Sequence, residues 1–190
     1  TNLVNQAKAQ WDNIPKRIEI KEVIPELSKA QGVFLYDIES DPDEQEEYLH
    51  GFLQVKKTQN GTWDISNSRY HPLLAIGNDK KKTLNTWERI TKKLFKHSDW
   101  PILHYGETEA ISLLKMAQLY GCSNYEISQL KKRLIDIHLR LRNSWYLPIK
   151  NYSLKSVASW VGFNWSKKGA NGAKALLWWR QWKDRRKIAR

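Results

Sequence analysis

The chain has 190 residues, 41% of them hydrophobic and 12% aromatic, which fits one globular domain with a substantial core and excludes collagen-like, disulfide-stapled and wholly disordered chains. Its 32 Lys and Arg against 20 Asp and Glu leave a formal charge of +12, so an anionic partner is expected and nucleic acid leads the candidates. The expectation is a soluble, cytoplasmic chain without a membrane partner: no apolar run approaches the roughly 18–20 residues of a membrane span, the opening residues lack a signal peptide's succession, and a lone Cys122 makes neither a disulfide nor a zinc cage.

In chain order, residues 1–30 read as a lead-in or linker, with a short helix around 4–11 and a loop carrying Pro15 and Pro25. Its start reads as cut from a longer protein. The main domain is expected over 31–190. Residues 32–39 (GVFLYDIE) are nearly all apolar and rich in β-formers, the pattern of a central strand buried on both faces. Residues 48–55 form a second strand, and Asn60-Gly61 signals a hairpin from which a third strand starts at Trp63, giving three consecutive antiparallel strands. Residues 79–97 are predicted as a helix with Leu84, Trp87, Ile90, Thr91 and Leu94 at helical spacing. Lys80 to Lys82 and Lys92 to Lys93 fall on or near its solvated side. A short buried strand at 100–105 and a helix at 107–120 closed by Gly121 follow. Further helices are predicted at 125–133, at 153–161 with Ser153 as N-cap, and from 172 toward the end, while 134–141 reads as a strand or a helix start.

The charge is unevenly placed. Between Asp37 and Glu47 lie seven acids and no base, whereas Lys167 to Arg190 holds nine bases against Asp184, a net of +8. A basic field around an acidic focus suits divalent cations, whose remaining ligands come from substrate phosphates. The run from Asp41 to Glu47 itself is expected to be a solvated loop.

Asp37 and Glu39, at i and i+2 of a strand, emerge on one face about 7 Å apart, where two anions are costly without a cation between them. Should the strand end at Tyr36, both are simply solvated loop acids. His104-Tyr105-Gly106-Glu107-Thr108-Glu109 spans the step from a buried strand to a helix, where open α/β sheets form ligand sites. Glu107 and Glu109 lie about 200° apart on that helix, so at most one faces a metal well; each is also explained as an acid at a helix N-terminus. Asn151-Tyr152-Ser153-Leu154-Lys155 starts a helix with free N–H groups and a lysine in its first turn, either a phosphate cradle or a plain capped helix. Asp136 sits inside an apolar run, where an acid needs a partner or a metal unless it lies on an outward turn. Trp178, Trp179 and Trp182 fit a core-facing stripe better than a nucleobase-stacking surface. No role is assigned to His50, His71, His97 or His138.

Taken together, Asp-x-Glu, the His-Tyr-Gly-x-x-Glu step and Tyr-Ser-Leu-Lys resemble the RNase H-like, DEDD-type exonuclease domain found in the C-terminal part of bacterial RecB-related nucleases, over residues 32–182. The fold expected is α/β and RNase H-like, a mixed central sheet of three antiparallel strands plus parallel strands, flanked by helices. The resemblance implies that Asp37, Glu39 and Glu109 are metal ligands, which favours Glu109 over Glu107, and that Asp136 completes the catalytic acids. It implies two-metal hydrolysis with Mg²⁺ or Mn²⁺, Asp37 bridging the ions, in a 3′–5′ exonuclease-like enzyme acting on nucleic acid, DNA ahead of RNA. His104, Tyr105, Tyr152, Ser153, Lys155, Lys167 and Lys168 would contact the substrate. A RecB-like nuclease domain is the expected partner in the parent chain. The family's final acid, in a Tyr-Asn-x-x-Asp-like segment after the Trp-rich helix, has no match before Arg190. The expectation is either a domain cut short of its last acid or a member that has lost it, and in the second case a catalytically silent binding module.

Overall fold

The computed structural model describes residues 2–19, 21–44, 46–74, 80–166, 169 and 171–188, the side chains of 80–83 and 186–188 excepted. Strand β2 (Gly32–Asp41), the apolar run expected from the sequence, lies at the centre of a five-stranded sheet of order β4-β3-β2-β5-β6. It pairs antiparallel with β3 (Glu46–Lys57), which pairs antiparallel with β4 (Trp63–Leu74); the hairpin turn holds Gly61 at φ 77°, where a side chain would be strained. On its other side β2 runs parallel to β5 (Ile102–His104), and β5 parallel to β6 (Leu134–Asp136). The mixed sheet of three antiparallel and further parallel strands, flanked by helices, is the expected fold class.

The parallel strands require crossovers, and helices supply them. Helix α3 (Lys80–Lys96) leads to β5, and α4 (Thr108–Leu119) and α5 (Asn124–Arg133) lead to β6. Trp87, Ile90 and Leu94 of α3, Leu113 and Met116 of α4 and Leu130 of α5 bury themselves against Phe34, Tyr36 and Phe52 of the sheet. Gly121 closes α4 in the left-handed region at φ 79°. Segment 134–141 combines both forms anticipated for it, β6 passing directly into α6 (Ile137–Ser144). Helix α7 (Leu154–Trp160) is capped by Ser153, and α8 (Gly172–Ile188) is the Trp-rich basic helix.

The lead-in is docked to the domain. Helix α1 (Asn2–Asp12) sends Gln6 Nε2 to the carbonyl of Leu147 at 2.7 Å, and strand β1 (Lys16–Arg17) pairs with β7 (Trp145–Tyr146) in a second, two-stranded sheet. The short helix α2 (Glu26–Lys29) is tied to α6 by Arg140 and Glu26 at 2.5 Å.

Two contacts fix the segment that enters β5, one from the end of α5 and one from β2. Arg133, 9% exposed, donates to the carbonyls of Trp100 at 2.7 Å and His97 at 2.8 Å, and burial pulls its pKa down to about 10. Gly32 lets the Trp100 ring approach so closely that an added Cβ would stand 2.3 Å from it. Trp100 is 5% exposed and cannot swing away. Gly32→Ala should therefore cost about 1–3 kcal/mol, the range for overpacking a filled interior, read as a lower denaturation midpoint.

Candidate active site

Along β2 the side chains alternate. Phe34 and Tyr36 enter the core, while Leu35 and Asp37 point the other way and are exposed. The expectation of a strand buried on both faces is thus corrected at its carboxyl-terminal half. The local cause is Gly51, which pairs with Asp37 on β3 and offers no side chain to cover it. The strand runs through Glu39 to Asp41, so Asp37 and Glu39 are strand residues on one face rather than loop acids.

These carboxylates lie in a field that opposes ionisation. Desolvation by the surrounding protein raises the pKa of Asp37 although its side chain stays accessible. Burial and then the neighbouring Asp37 raise that of Glu39. Glu109, in the first turn of α4 and 9% exposed, is raised by burial and then by the charges of Asp37 and Asp136. Its Oε2 is buried without a hydrogen-bond partner. The buried Tyr48 hydroxyl faces the Glu39 carboxylate, and its pKa is pushed up to about 12 by burial first and then by Glu39 and Asp41. Crowded hard oxygens, one of them buried and unsatisfied, are the donors a divalent cation accepts. Among the described residues no group of three or more His, Cys, Asp or Glu side chains is placed to hold a metal ion. Glu107 lies outside α4 at its N-cap, without a capping hydrogen bond from its side chain.

The step after β5 adds rigidity. His104, 6% exposed, donates from Nδ1 to the carbonyl of Gly106 at 2.6 Å, and burial lowers its pKa. Gly106 turns at φ 104°, a conformation that favours glycine, and donates its N–H to Asp136 Oδ1 at 3.0 Å. The same Oδ1 caps α6 by accepting from Leu139 N at 3.2 Å. Asp136 thus finds the partners its apolar setting demanded, and it stands beside His104 in the β5–β6 register. Tyr105 Oη donates to the carbonyl of Tyr152 at 2.5 Å.

A family model described as the RNase H superfamily matches residues 34–190. The chain belongs to the RNase H superfamily. No curated protein and no solved structure matches it.

Other residues expected at the site of this RNase H superfamily domain make contacts within the fold or are exposed. The Tyr152 hydroxyl accepts from Leu147 N at 2.9 Å and lies 2.7 Å from the carbonyl of Trp145, so it is tied to β7. Ser153 Oγ caps α7 by accepting from Ser156 N at 3.2 Å, and Asn151 Oδ1 accepts from Ser153 N at 3.0 Å. The plain capped helix therefore describes this segment better than a phosphate cradle. Lys155 is exposed in the first turn. Lys167 and Lys168 lie outside the described residues, as do the side chains of Lys80, Lys81 and Lys82.

The acidic run after Glu39 corrects its solvated-loop expectation. Asp41 is 0% exposed and accepts from Arg180 Nε at 2.8 Å and Nη2 at 2.5 Å. Arg180 also reaches Asp43 at 2.6 Å, while Lys183 pairs with Glu44 and Glu46. Helix α8 carries the complementary cations one turn apart, so the turn is clasped to it. The tryptophans divide: Trp179 is buried and stacks on Tyr48 at 4.8 Å and on Trp182 at 5.0 Å, whereas Trp178 is 51% exposed. The core-stripe expectation holds for Trp179. Sequence reasoning passed over Tyr48 and Arg180 and placed Asp41 in solvent, because these residues find their partners about 130 to 140 positions away. The charge complementarity of turn and tail was the one available signal.

Proposed function

We propose that this domain is a metal-dependent nuclease, 3′–5′ exonuclease-like and of the RecB-related kind, which hydrolyses phosphodiester bonds of nucleic acid, DNA ahead of RNA. RNase H superfamily membership supports nucleic acid as substrate, and superfamily nucleases typically use divalent metals. Among the described residues no helix is long and apolar enough to cross a membrane. The observation that carries the proposal is the buried, unpartnered Glu109 Oε2 beside the accessible Asp37, with Glu39 two residues along the same strand.

Asp37, Glu39 and Glu109 would hold Mg²⁺ or Mn²⁺, which when bound supply Lewis acidity and a hydroxide nucleophile at neutral pH. The protein's share is positioning. Strand β2 fixes the spacing of Asp37 and Glu39, and the first turn of α4 presents Glu109. The hydrogen bond from His104 to Gly106 holds the loop before α4 in place, and Asp136 fastens that loop to α6. A RecB-like nuclease domain is the partner proposed for the parent chain.

A second reading, a catalytically silent RNase H-like module that grips nucleic acid for a neighbouring nuclease, is favoured by the lack of any three converging carboxylates among the described residues. Calorimetric titration of Mn²⁺ with and without an oligonucleotide separates the two. The nuclease reading expects ion binding that strengthens when the oligonucleotide supplies phosphate ligands, accompanied by Mn²⁺-dependent cleavage. Oligonucleotide binding indifferent to Mn²⁺, with no cleavage, overturns it in favour of the silent module.

A further inference from the structure

A basic cleft lies at the β4 edge of the sheet, apart from the C-terminal helix. It has a volume of about 510 Å³, and its lining includes Tyr70, His71, Arg89, Lys92, Lys93 and Lys96 and, among the described residues, no acid. The four cations stand at i, i+3, i+4 and i+7 of α3, one face of the helix. None of them forms a salt bridge with an acid among the described residues, in contrast to Arg180 and Lys183 on α8. Desolvation lowers the Lys93 pKa first, and Arg89 and Lys96 lower it further, so the site repels its own charge. Burial and then Lys93 and Arg69 lower the His71 pKa, and His71 Nε2 is buried without a partner. An anion would relieve all of these.

The cleft also points somewhere. Tyr70 pairs with Leu53, and Leu53 with Leu35, so Tyr70 shares the sheet face of Asp37. Its hydroxyl reaches diagonally over Gly51, close enough that a Cβ there would stand 2.8 Å from it, and Gly51 is the cross-strand partner of Asp37. Asp37 and Glu39 both act on the Tyr70 phenol electrostatically, after burial. His71, next in sequence, points to the opposite face, toward Lys93. The lining therefore turns around the β4 edge, from the carboxylate face at Tyr70 to the basic face of α3.

We propose that this cleft is a phosphate track for a single nucleic-acid strand, which leads over the exposed ring of Tyr70 to Asp37. The proposal rests on the nuclease reading and adds where the strand lies. Charge complementarity selects a polyanion, and the adjoining Tyr70, 58% exposed, offers a face on which a base can stack. The track lies apart from the Trp-rich helix, and among the described residues none of its four cations is engaged by an acid.

The test is fluorescence anisotropy with a labelled oligothymidylate of about 15 nucleotides, in Ca²⁺ or without metal to prevent cleavage. Arg89→Glu/Lys93→Glu is compared with the charge-matched Lys8→Glu/Lys29→Glu, whose residues do not line the cleft. The cleft variant should lose about tenfold or more in affinity at low salt, and the slope of log affinity against log salt should flatten by about 1 to 1.5, as expected for two lost contacts to a single strand. Equal losses in the two variants, or none in either, overturn the track while leaving the nuclease reading intact. Absence of oligonucleotide binding by the unmodified protein removes both. Should the Glu pair melt early, Arg89→Gln/Lys93→Gln carries the test with the same sign and a smaller loss.

Discussion

Asp37→Asn is expected to lower Mn²⁺-dependent hydrolysis of an oligonucleotide by about three orders of magnitude, the rate equivalent of several kcal/mol of metal-derived stabilisation. Oligonucleotide binding should stay intact or tighten, because a negative charge facing phosphate is removed. The substitution is nearly isosteric on an exposed strand position, so the fold survives it. A pH profile adds an independent check. Asp37, Glu39 and Glu109 all have raised pKa values, so their protonation begins above the ordinary carboxylate range. Mn²⁺ affinity should therefore fall with decreasing pH, earlier than for a site of exposed carboxylates. Undiminished Mn²⁺-dependent cleavage by Asp37→Asn would remove the assignment of that residue.

Arg180→Leu is expected to have the largest effect on stability of any change on α8. It leaves Asp41, with no exposed surface, to the backbone amides of Asp43 at 3.2 Å and of Glu44 and to Lys183 at 4.0 Å, without the guanidinium that neutralises it. Removing one partner of a buried pair is far more damaging than replacing both, and a fall in the thermal midpoint of roughly 10 °C is the expected scale. The pH dependence has a definite sign. The hydrogen bond and charge of Arg180 hold the Asp41 carboxyl down at about 2. Its contribution is complete above the ordinary Asp value near 4 and is lost as pH falls toward 2, so acid unfolding between those values should be steeper in the unmodified protein than in Arg180→Leu. Asp41→Leu combined with Arg180→Leu should recover part of the lost stability, since no buried charge is then stranded.

The sheet was legible where local pattern and final environment agree. The apolar run before Asp37 specifies a central strand whatever its neighbours, and Asn60-Gly61 specifies a reversal. Strand β4 continues to Leu74, well beyond the Trp63 start that the hairpin implied, through Ser66-Asn67-Ser68 and Pro72. Those residues are poor strand formers and are tolerated because β4 is an edge strand. The lead-in's two-residue strand β1 has no local signature at all; its pairing with β7 exists only after the chain has folded around it. At the site, strand parity alone put Asp37 and Glu39 on one face, whereas choosing Glu109 over Glu107 took the family resemblance. Asp41 was misplaced because a run of acids looks solvated until the helix that neutralises it is brought up from about 140 residues away.

The two tyrosines behind the site form a mechanical linkage. Tyr152 Oη lies 3.1 Å from Gln6 Oε1 on α1, and the Tyr152 carbonyl accepts from Tyr105, which immediately precedes Gly106 in the loop entering α4. A force applied along α1 would thus be delivered through two phenols to the backbone that orients Glu109. Of the three carboxylates only Glu109 sits on this linkage; Asp37 and Glu39 are fixed independently by β2.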